Sequence, residues 1–339
     1  MNGATDALVT GVCSGDRRAL AKAITLVESE RAEDVALRSA LLASLPNEPR
    51  STWRLGVTGA PGAGKSSLIE RLGLLAIERG QRVAVLAVDP SSPASGGSVL
   101  GDKTRMVRLS ASEQAFIRPS PARGARGGAA LRTREAIALC EAAGYDLVIV
   151  ETVGVGQAEY AVAEMVDSVL LVLLPGAGDG IQALKRGLLE LSQLAAVNKA
   201  DGERLPLAER DARELADAFS LGEPPSSPAR VTASNVWQRR ALAVSALSGY
   251  QLAELWQLLR DHRQLIEQSG ELELRRAAQR RAWLDAAVEE RLRAIFLADS
   301  AVVAAYPALA AEVSSGALSP EQAAERLLSV FTDRPASER

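Results

Sequence analysis

Leu55-Gly56-Val57-Thr58-Gly59-Ala60-Pro61-Gly62-Ala63-Gly64-Lys65-Ser66-Ser67-Leu68-Ile69 runs from an apolar strand through a glycine-rich turn into an amphipathic helix. Gly59 to Ser66 matches G-x-x-x-x-G-K-[ST], and the strand before it and helix after it are the context that gives the motif meaning. The glycines let successive backbone N–H groups point at a phosphate, and the helix N-terminus adds positive potential. Lys65 is the candidate for neutralising β- and γ-phosphate oxygens, and the Ser66 hydroxyl for ligating Mg²⁺. Gly59, Ala60, Pro61, Gly62, Ala63, Gly64, Lys65, Ser66 and Ser67 are therefore the expected phosphate-binding run.

Outward from this turn, short apolar runs recur at Trp53–Thr58, Arg82–Val88, Asp146–Glu151, Ser168–Leu174, Gln193–Asn198 and Ala241–Ser245. Amphipathic stretches separate them: Gly64–Arg79, Leu131–Ala143, Ile181–Leu191 and Leu207–Phe219. Continuous apolar strands alternating with helices predict an α/β domain with a mostly parallel sheet covered on both faces. Pro90–Ser112 is too long and polar for a routine connection and is expected to be functional. Gly222–Asn235, with three prolines, reads as a surface excursion. Before the sheet, Leu8, Val12, Leu20, Ile24 and Val27, then Val35, Leu37, Leu41 and Leu42, predict a lead-in of two helices. After it, Tyr250–Gln268, Leu272–Leu297, Ala304–Val313 and Pro320–Phe331 are all helical in pattern. The long helix at Leu272–Leu297 fits either packing on its own domain or a dimer interface. The expected organisation is a helical extension over 1–50, a nucleotide domain over 51–262 and a helical C-terminal region over 263–339.

Carboxylates at the C-terminal ends of parallel strands converge where a nucleotide binds. Asp89 and Glu151 hold such positions, and Asp102 lies in the long excursion; all three are candidates for the metal shell, with Ser66. Gly154, three residues after Glu151, offers a backbone N–H that can meet a γ-phosphate without side-chain obstruction. Lys65, Asp102, Glu151 and Gly154 form the expected catalytic set.

Asn198-Lys199-Ala200-Asp201 follows the second strand from the sheet's end, and Ser245-Ala246-Leu247 closes the next. A carboxylate at Asp201 can accept two hydrogen bonds from guanine, whereas adenine would leave it buried and unmatched. Asn198 is assigned to the Hoogsteen edge and the Lys199 stem to the ring face. The pocket is expected to prefer GTP and GDP to adenine nucleotides.

Composition narrows the chemistry further. The 339 residues hold 39 Lys+Arg against 42 Asp+Glu, a net charge of −3, so no basic surface advertises nucleic acid. One histidine (His262, in a charged helical stretch) and two distant cysteines (Cys13, Cys140) argue against a disulfide framework, a zinc site or serine–histidine catalysis. No basic-then-apolar leader opens the chain, and no apolar run reaches the ~20 residues that span a bilayer. The expectation is a cytoplasmic protein without a membrane partner.

These motifs together resemble the MeaB/ArgK branch of the G3E P-loop GTPases. The similarity is carried by Val88-Asp89-Pro90-Ser91-Ser92, Ser95-Gly96-Gly97-Ser98, Leu100-Gly101-Asp102-Lys103-Thr104-Arg105-Met106, Glu151-Thr152-Val153-Gly154-Val155-Gly156-Gln157 and Pro175-Gly176-Ala177-Gly178-Asp179. The resemblance implies a homodimeric GTPase chaperone of an adenosylcobalamin-dependent acyl-CoA mutase, gating cofactor delivery and protecting or reactivating that partner. It implies a C-terminal helical dimerisation arm. It also implies a third switch over Gly176–Lys185, with Asp179, Gln182 and Lys185 relaying nucleotide state. A metal-insertion GTPase would want His- or Cys-rich segments that are missing here, and the base motif argues against a kinase or transport ATPase. A non-catalytic GTP-sensing adaptor differs only in turnover. Val155 stands where many regulatory GTPases place a water-orienting glutamine, so slow, partner-stimulated hydrolysis is expected. Arg105, Arg108 and Arg118 are candidates for transition-state charge stabilisation.

Overall fold

The computed structural model describes residues 3–29, 31–46, 51–89, 106–121, 128–152, 158–176, 186–221 and 237–332. It divides into two compact units, Met1–Gln279 and Arg280–Arg339.

The first unit opens with three helices, α1 (Gly3–Cys13), α2 (Arg17–Val27) and α3 (Ala32–Ala43), where the apolar periodicity had predicted two. The extra break has a local cause: Asp16 caps α2, accepting from the N–H groups of Arg18 (2.6 Å) and Ala19 (3.1 Å). The sheet and its helices then alternate: β1 (Trp53–Gly59), α4 (Lys65–Ile77), β2 (Val83–Asp89), the short α5 (Val107–Ser110), β3 (Ala115–Pro121), α6 (Gly128–Ala142), β4 (Leu147–Thr152), α7 (Ala158–Ala163), β5 (Ser168–Leu173), α8 (Arg186–Leu191), β6 (Leu194–Val197), α9 (Leu205–Leu221), β7 (Arg240–Ala243) and α10 (Leu252–Gln268). All seven strands are parallel, in the order β3-β2-β4-β1-β5-β6-β7. The edge strand β3 was not expected from the sequence. Its Arg118, Pro119 and Pro121 break the apolar run that marks a buried strand.

Alternation along β5 explains why the central strands read as uninterrupted apolar runs. Leu170 and Val172 pack with Leu68, Ile69 and Leu72 of α4 and Leu255, Trp256 and Leu259 of α10. Leu171 and Leu173 pack the opposite way, with Ala208, Ala212, Leu215 and Phe219 of α9. Both faces are buried, so both parities are apolar.

The N-terminal ends of the strands carry a buried charge cluster. Asp167, fully buried just before β5, accepts from Arg263 (2.8 Å) and from Arg276 Nε and Nη2 (3.0 and 2.7 Å). It also accepts from the backbone N–H of Arg54 (2.9 Å). Arg276 belongs to α11 (Glu271–Ala298), whose Leu272, Arg276 and Gln279 are buried in the first unit. Removing one partner of such a cluster costs roughly 3–5 kcal/mol, because the rest stay buried uncompensated. Beside it lies His262, which the sequence had placed in a charged stretch; it is buried, with Nδ1 2.8 Å from Ser168 Oγ and its ring edge-on to Trp237. Burial pushes its pKa down to about 3, with Arg275 and Arg263 adding to the effect.

The second unit comprises the rest of α11, then α12 (Ser300–Ser314) and α13 (Pro320–Thr332), with Phe296 edge-on to Phe331 at 5.3 Å. Among the described residues no single helix is long and apolar enough to cross a membrane.

Candidate functional site

The phosphate loop sits at the C-terminal edge of the sheet, between β1 and α4. Gly59 ends the strand, Ala60–Ala63 form the turn, and Lys65, Ser66 and Ser67 make the first turn of the helix. The Lys65 ammonium donates to the carbonyls of Gly59 (2.7 Å) and Ala60 (3.0 Å), which hold it over the loop. Ser66 and Glu151, both buried, meet at 2.9 Å, the hydroxyl donating to Oε1. Strand register explains the meeting: Glu151 lies beside Val57 at the end of β4, two residues before the loop begins on β1. One position on, the Thr152 hydroxyl donates to Thr58 Oγ1 (2.9 Å), a link between the two strand ends that left no mark in the residue pattern. A serine hydroxyl and a carboxylate are hard oxygen donors, the kind Mg²⁺ takes alongside phosphate oxygens. The residues present fit that ion.

The second cluster lies after β6. Ser245 donates to Asp201 Oδ2 (2.5 Å) and itself accepts from Ser248 N (3.1 Å), so the carboxylate is held by the loop that closes β7. Lys199 has a left-handed backbone (φ 66°), an uncommon conformation for a residue with a side chain. Leu247 is 85% exposed at the rim.

Asn198 joins the two clusters. Its Nδ2 donates to Ala63 O (2.8 Å) and Gly64 O (3.4 Å), and its Oδ1 accepts from Ala246 N (3.1 Å). This amide, which the sequence assigned to the base's Hoogsteen edge, spans the phosphate loop and the 245–247 loop. Position 64 must be glycine for this clasp: φ is +86°, and a Cβ there would lie 2.5 Å from Asn198 Nδ2.

Of Asp89 the structure describes the backbone, at the last residue of β2. Asp102, Gly154, Asp179, Gln182 and Lys185 lie outside the described residues, as does Arg105. Arg118 is not at the loop edge: its guanidinium ion-pairs with Glu28, the residue that ends α2. Arg108 is exposed. One anchor that sequence reasoning missed is Asp211, buried on α9, which accepts from Gly176 N at 2.6 Å.

A strand–glycine loop–helix with a buried lysine and serine in its first turn, at the C-terminal edge of an all-parallel sheet, defines a P-loop nucleoside triphosphatase. Residues 20–301 match the family model of the methylmalonyl-CoA mutase-associated GTPase MeaB. A Caulobacter vibrioides protein is 49% identical over 96% of this chain and 97% of its own, and the GTPase ArgK of Escherichia coli is 43% identical over 92% of each. The crystal structure of a LAO/AO transport system kinase superposes with a TM-score of 0.72, at 35% identity over 98% of this chain and 99% of its own. The chain belongs to the MeaB family and is a GTPase.

Proposed function

We propose that this GTPase is a chaperone of an adenosylcobalamin-dependent acyl-CoA mutase. It would gate cofactor loading and protect or reactivate that enzyme, whose acyl-CoA and cobalamin pockets belong to the partner. The observation that carries the guanine reading is the Asp201 carboxylate, held by Ser245 on a loop that Asn198 ties to the phosphate loop. The mutase reading rests on the family to which the chain belongs.

In this reading the 59–67 backbone N–H groups and Lys65 hold the β- and γ-phosphates. Asp201 accepts the guanine ring N–H and amino group, with Lys199 along the ring and Ser245, Ala246 and Leu247 closing the pocket. Ser66 and Glu151, with Asp89 and Asp102, hold Mg²⁺, which supplies positive charge to the phosphate oxygens. Gly154 donates its N–H to the γ-phosphate, and Asp179, Gln182 and Lys185 pass the nucleotide state to the mutase. With Val155 where a water-orienting glutamine would stand, hydrolysis is slow until a partner orders these loops. The subunit pairs with a second copy through α11, where Leu284, Val288, Leu292 and Ile295 are exposed along one face.

The experiment is GTP turnover by the full chain, alone and with the mutase from the same cell, beside calorimetry with GTP and ATP. Faster turnover with the mutase and tight binding of GTP alone are expected. Equal affinity for the two nucleotides would remove the guanine reading, and equal turnover with and without the mutase would remove the chaperone reading.

A further inference from the structure

Thr58 and Thr152 are buried at the ends of β1 and β4, on a sheet face they share with Gly56, Val148 and Val150. Valine would fill the same space without carrying a hydroxyl out of water, so these two groups cost stability unless they are used. They are used on each other: Thr152 donates to Thr58 Oγ1 at 2.9 Å.

The pair stands where the two strands stop pairing. The β1–β4 register ends with Val57 beside Glu151. Beyond it, β1 stays with β5 as far as Gly59 and Val172, and β4 stays with β2 as far as Val88 and Thr152. The sheet therefore forks between β1 and β4 at the root of the phosphate loop. Side chains alternate along a strand, so the two faces of the fork are bridged separately. On the face toward α4, where Val57 and Ile149 lie in the core with Leu68 and Leu72, Ser66 donates to Glu151. On the opposite face, where a Cβ at Gly56 would meet Val162 and Val166, the threonines bond to each other.

We propose that Thr58 and Thr152 are positioning residues for the metal. Their bond holds the end of β4 against the end of β1, and so keeps Glu151 at its spacing from Ser66 when those two oxygens turn from each other to an ion. The proposal rests on the reading above that Ser66 and Glu151 serve Mg²⁺.

The test uses the full chain with Thr58→Val/Thr152→Val, Thr152→Val, Thr152→Ser and Glu151→Gln. Three quantities are read: the midpoint of urea unfolding, the factor by which Mg²⁺ tightens a non-hydrolysable GTP analogue in calorimetry, and the Mg²⁺ concentration giving half-maximal GTP turnover. Replacing both hydroxyls by methyl groups leaves neither partner buried and unpaired, so the double variant is expected to unfold at or above the parent's urea midpoint. Its Mg²⁺ factor is expected to fall about fivefold and its half-maximal Mg²⁺ to rise about fivefold, the net worth of one hydrogen bond read as an equilibrium constant. Affinity for the analogue without Mg²⁺ stays at the parent value. Thr152→Ser gives the opposite order. It keeps the donor but loses a buried methyl, so it is expected to unfold at lower urea yet stay within about twofold of the parent in both Mg²⁺ readouts. A pair that only held the fold together would move stability and Mg²⁺ response in step.

The proposal is overturned if the double variant keeps the parent's Mg²⁺ response, or if Thr152→Ser loses as much of it as the double variant does. It is also overturned if affinity without Mg²⁺ falls by the same factor. Glu151→Gln separates this failure from that of the metal reading. Should it leave the Mg²⁺ factor unchanged, Glu151 does not serve the ion, and the proposal fails with that reading. Should it abolish the factor while the double variant is unaffected, the proposal alone fails. Thr152→Val by itself carries the Mg²⁺ expectation if the double variant does not fold.

Discussion

At the scale of single residues, the proposed guanine pocket makes Asp201 the residue on which nucleotide choice turns. Two charge-assisted hydrogen bonds to guanine are together worth about 3 kcal/mol or more. Asp201→Asn is therefore expected to weaken GTP binding at least about 100-fold by calorimetry, with ATP affinity unimproved or slightly raised. Lys65→Ala removes binding of both nucleotides. How much of this was legible differs residue by residue. Lys65, Ser66 and Asp201 announce themselves because their spacing to glycines and to one another is local. Asn198 was found through its motif, but its backbone partners were not, since Ala63 and Ala246 lie 135 and 48 residues away. Glu70 and Asp211 left no trace: they accept the backbone N–H groups of Arg108 and Gly176, and a distant backbone partner has no signature in the sequence.

At the scale of elements, α10 shows both what a periodic reading captures and what it passes over. Leu252, Leu255, Leu259, His262 and Ile266 recur every three or four residues, and all are buried. That spacing puts His262 on the core face, although the sequence showed it only as part of a charged stretch with Arg260, Asp261 and Arg263. The consequence is a pH dependence. With its folded pKa at about 3 against an ordinary 6.5, His262 stays neutral in the fold while the unfolded chain takes up a proton. Its contribution is complete above about pH 6.5 and is lost as the pH falls toward 3, at about 1.4 kcal/mol per unit. Urea unfolding at pH 7 and pH 5 should differ by about 2 kcal/mol from this residue. His262→Gln, which cannot titrate, should flatten that part of the profile; an unchanged profile would remove the assignment.

At the scale of the whole molecule, the parallel sheet was readable because its central strands are covered on both faces. Only β3, carrying an arginine and two prolines, escaped. The C-terminal helices were recognisable as helices, but sequence left open whether α11 serves its own domain or a second copy. The structure shows both kinds of surface along it. Leu272, Arg276 and Gln279 are buried, whereas Leu284, Val288, Leu292 and Ile295 are 62, 48, 62 and 47% exposed. Leu292→Asp is expected to convert a sedimenting dimer to a monomer while leaving GTP binding intact. A parent protein that sediments as a monomer would refute the pairing.

Edge strand β3 adds a restriction on how copies can meet. Val83 N bonds to Gln114 O, which fixes the register: residues 114, 116, 118 and 120 turn their backbone groups toward β2, and the odd-numbered residues turn theirs to the open side. Of those, Ala115 already donates to Ser112 O, and Pro119 and Pro121 have no N–H. Ile117 is then the single donor that β3 can offer to an incoming strand. A foreign strand, or a second copy, finds almost nothing to zip onto there. On this flank the prolines act as a guard against runaway sheet extension, and they leave association to side chains on helices.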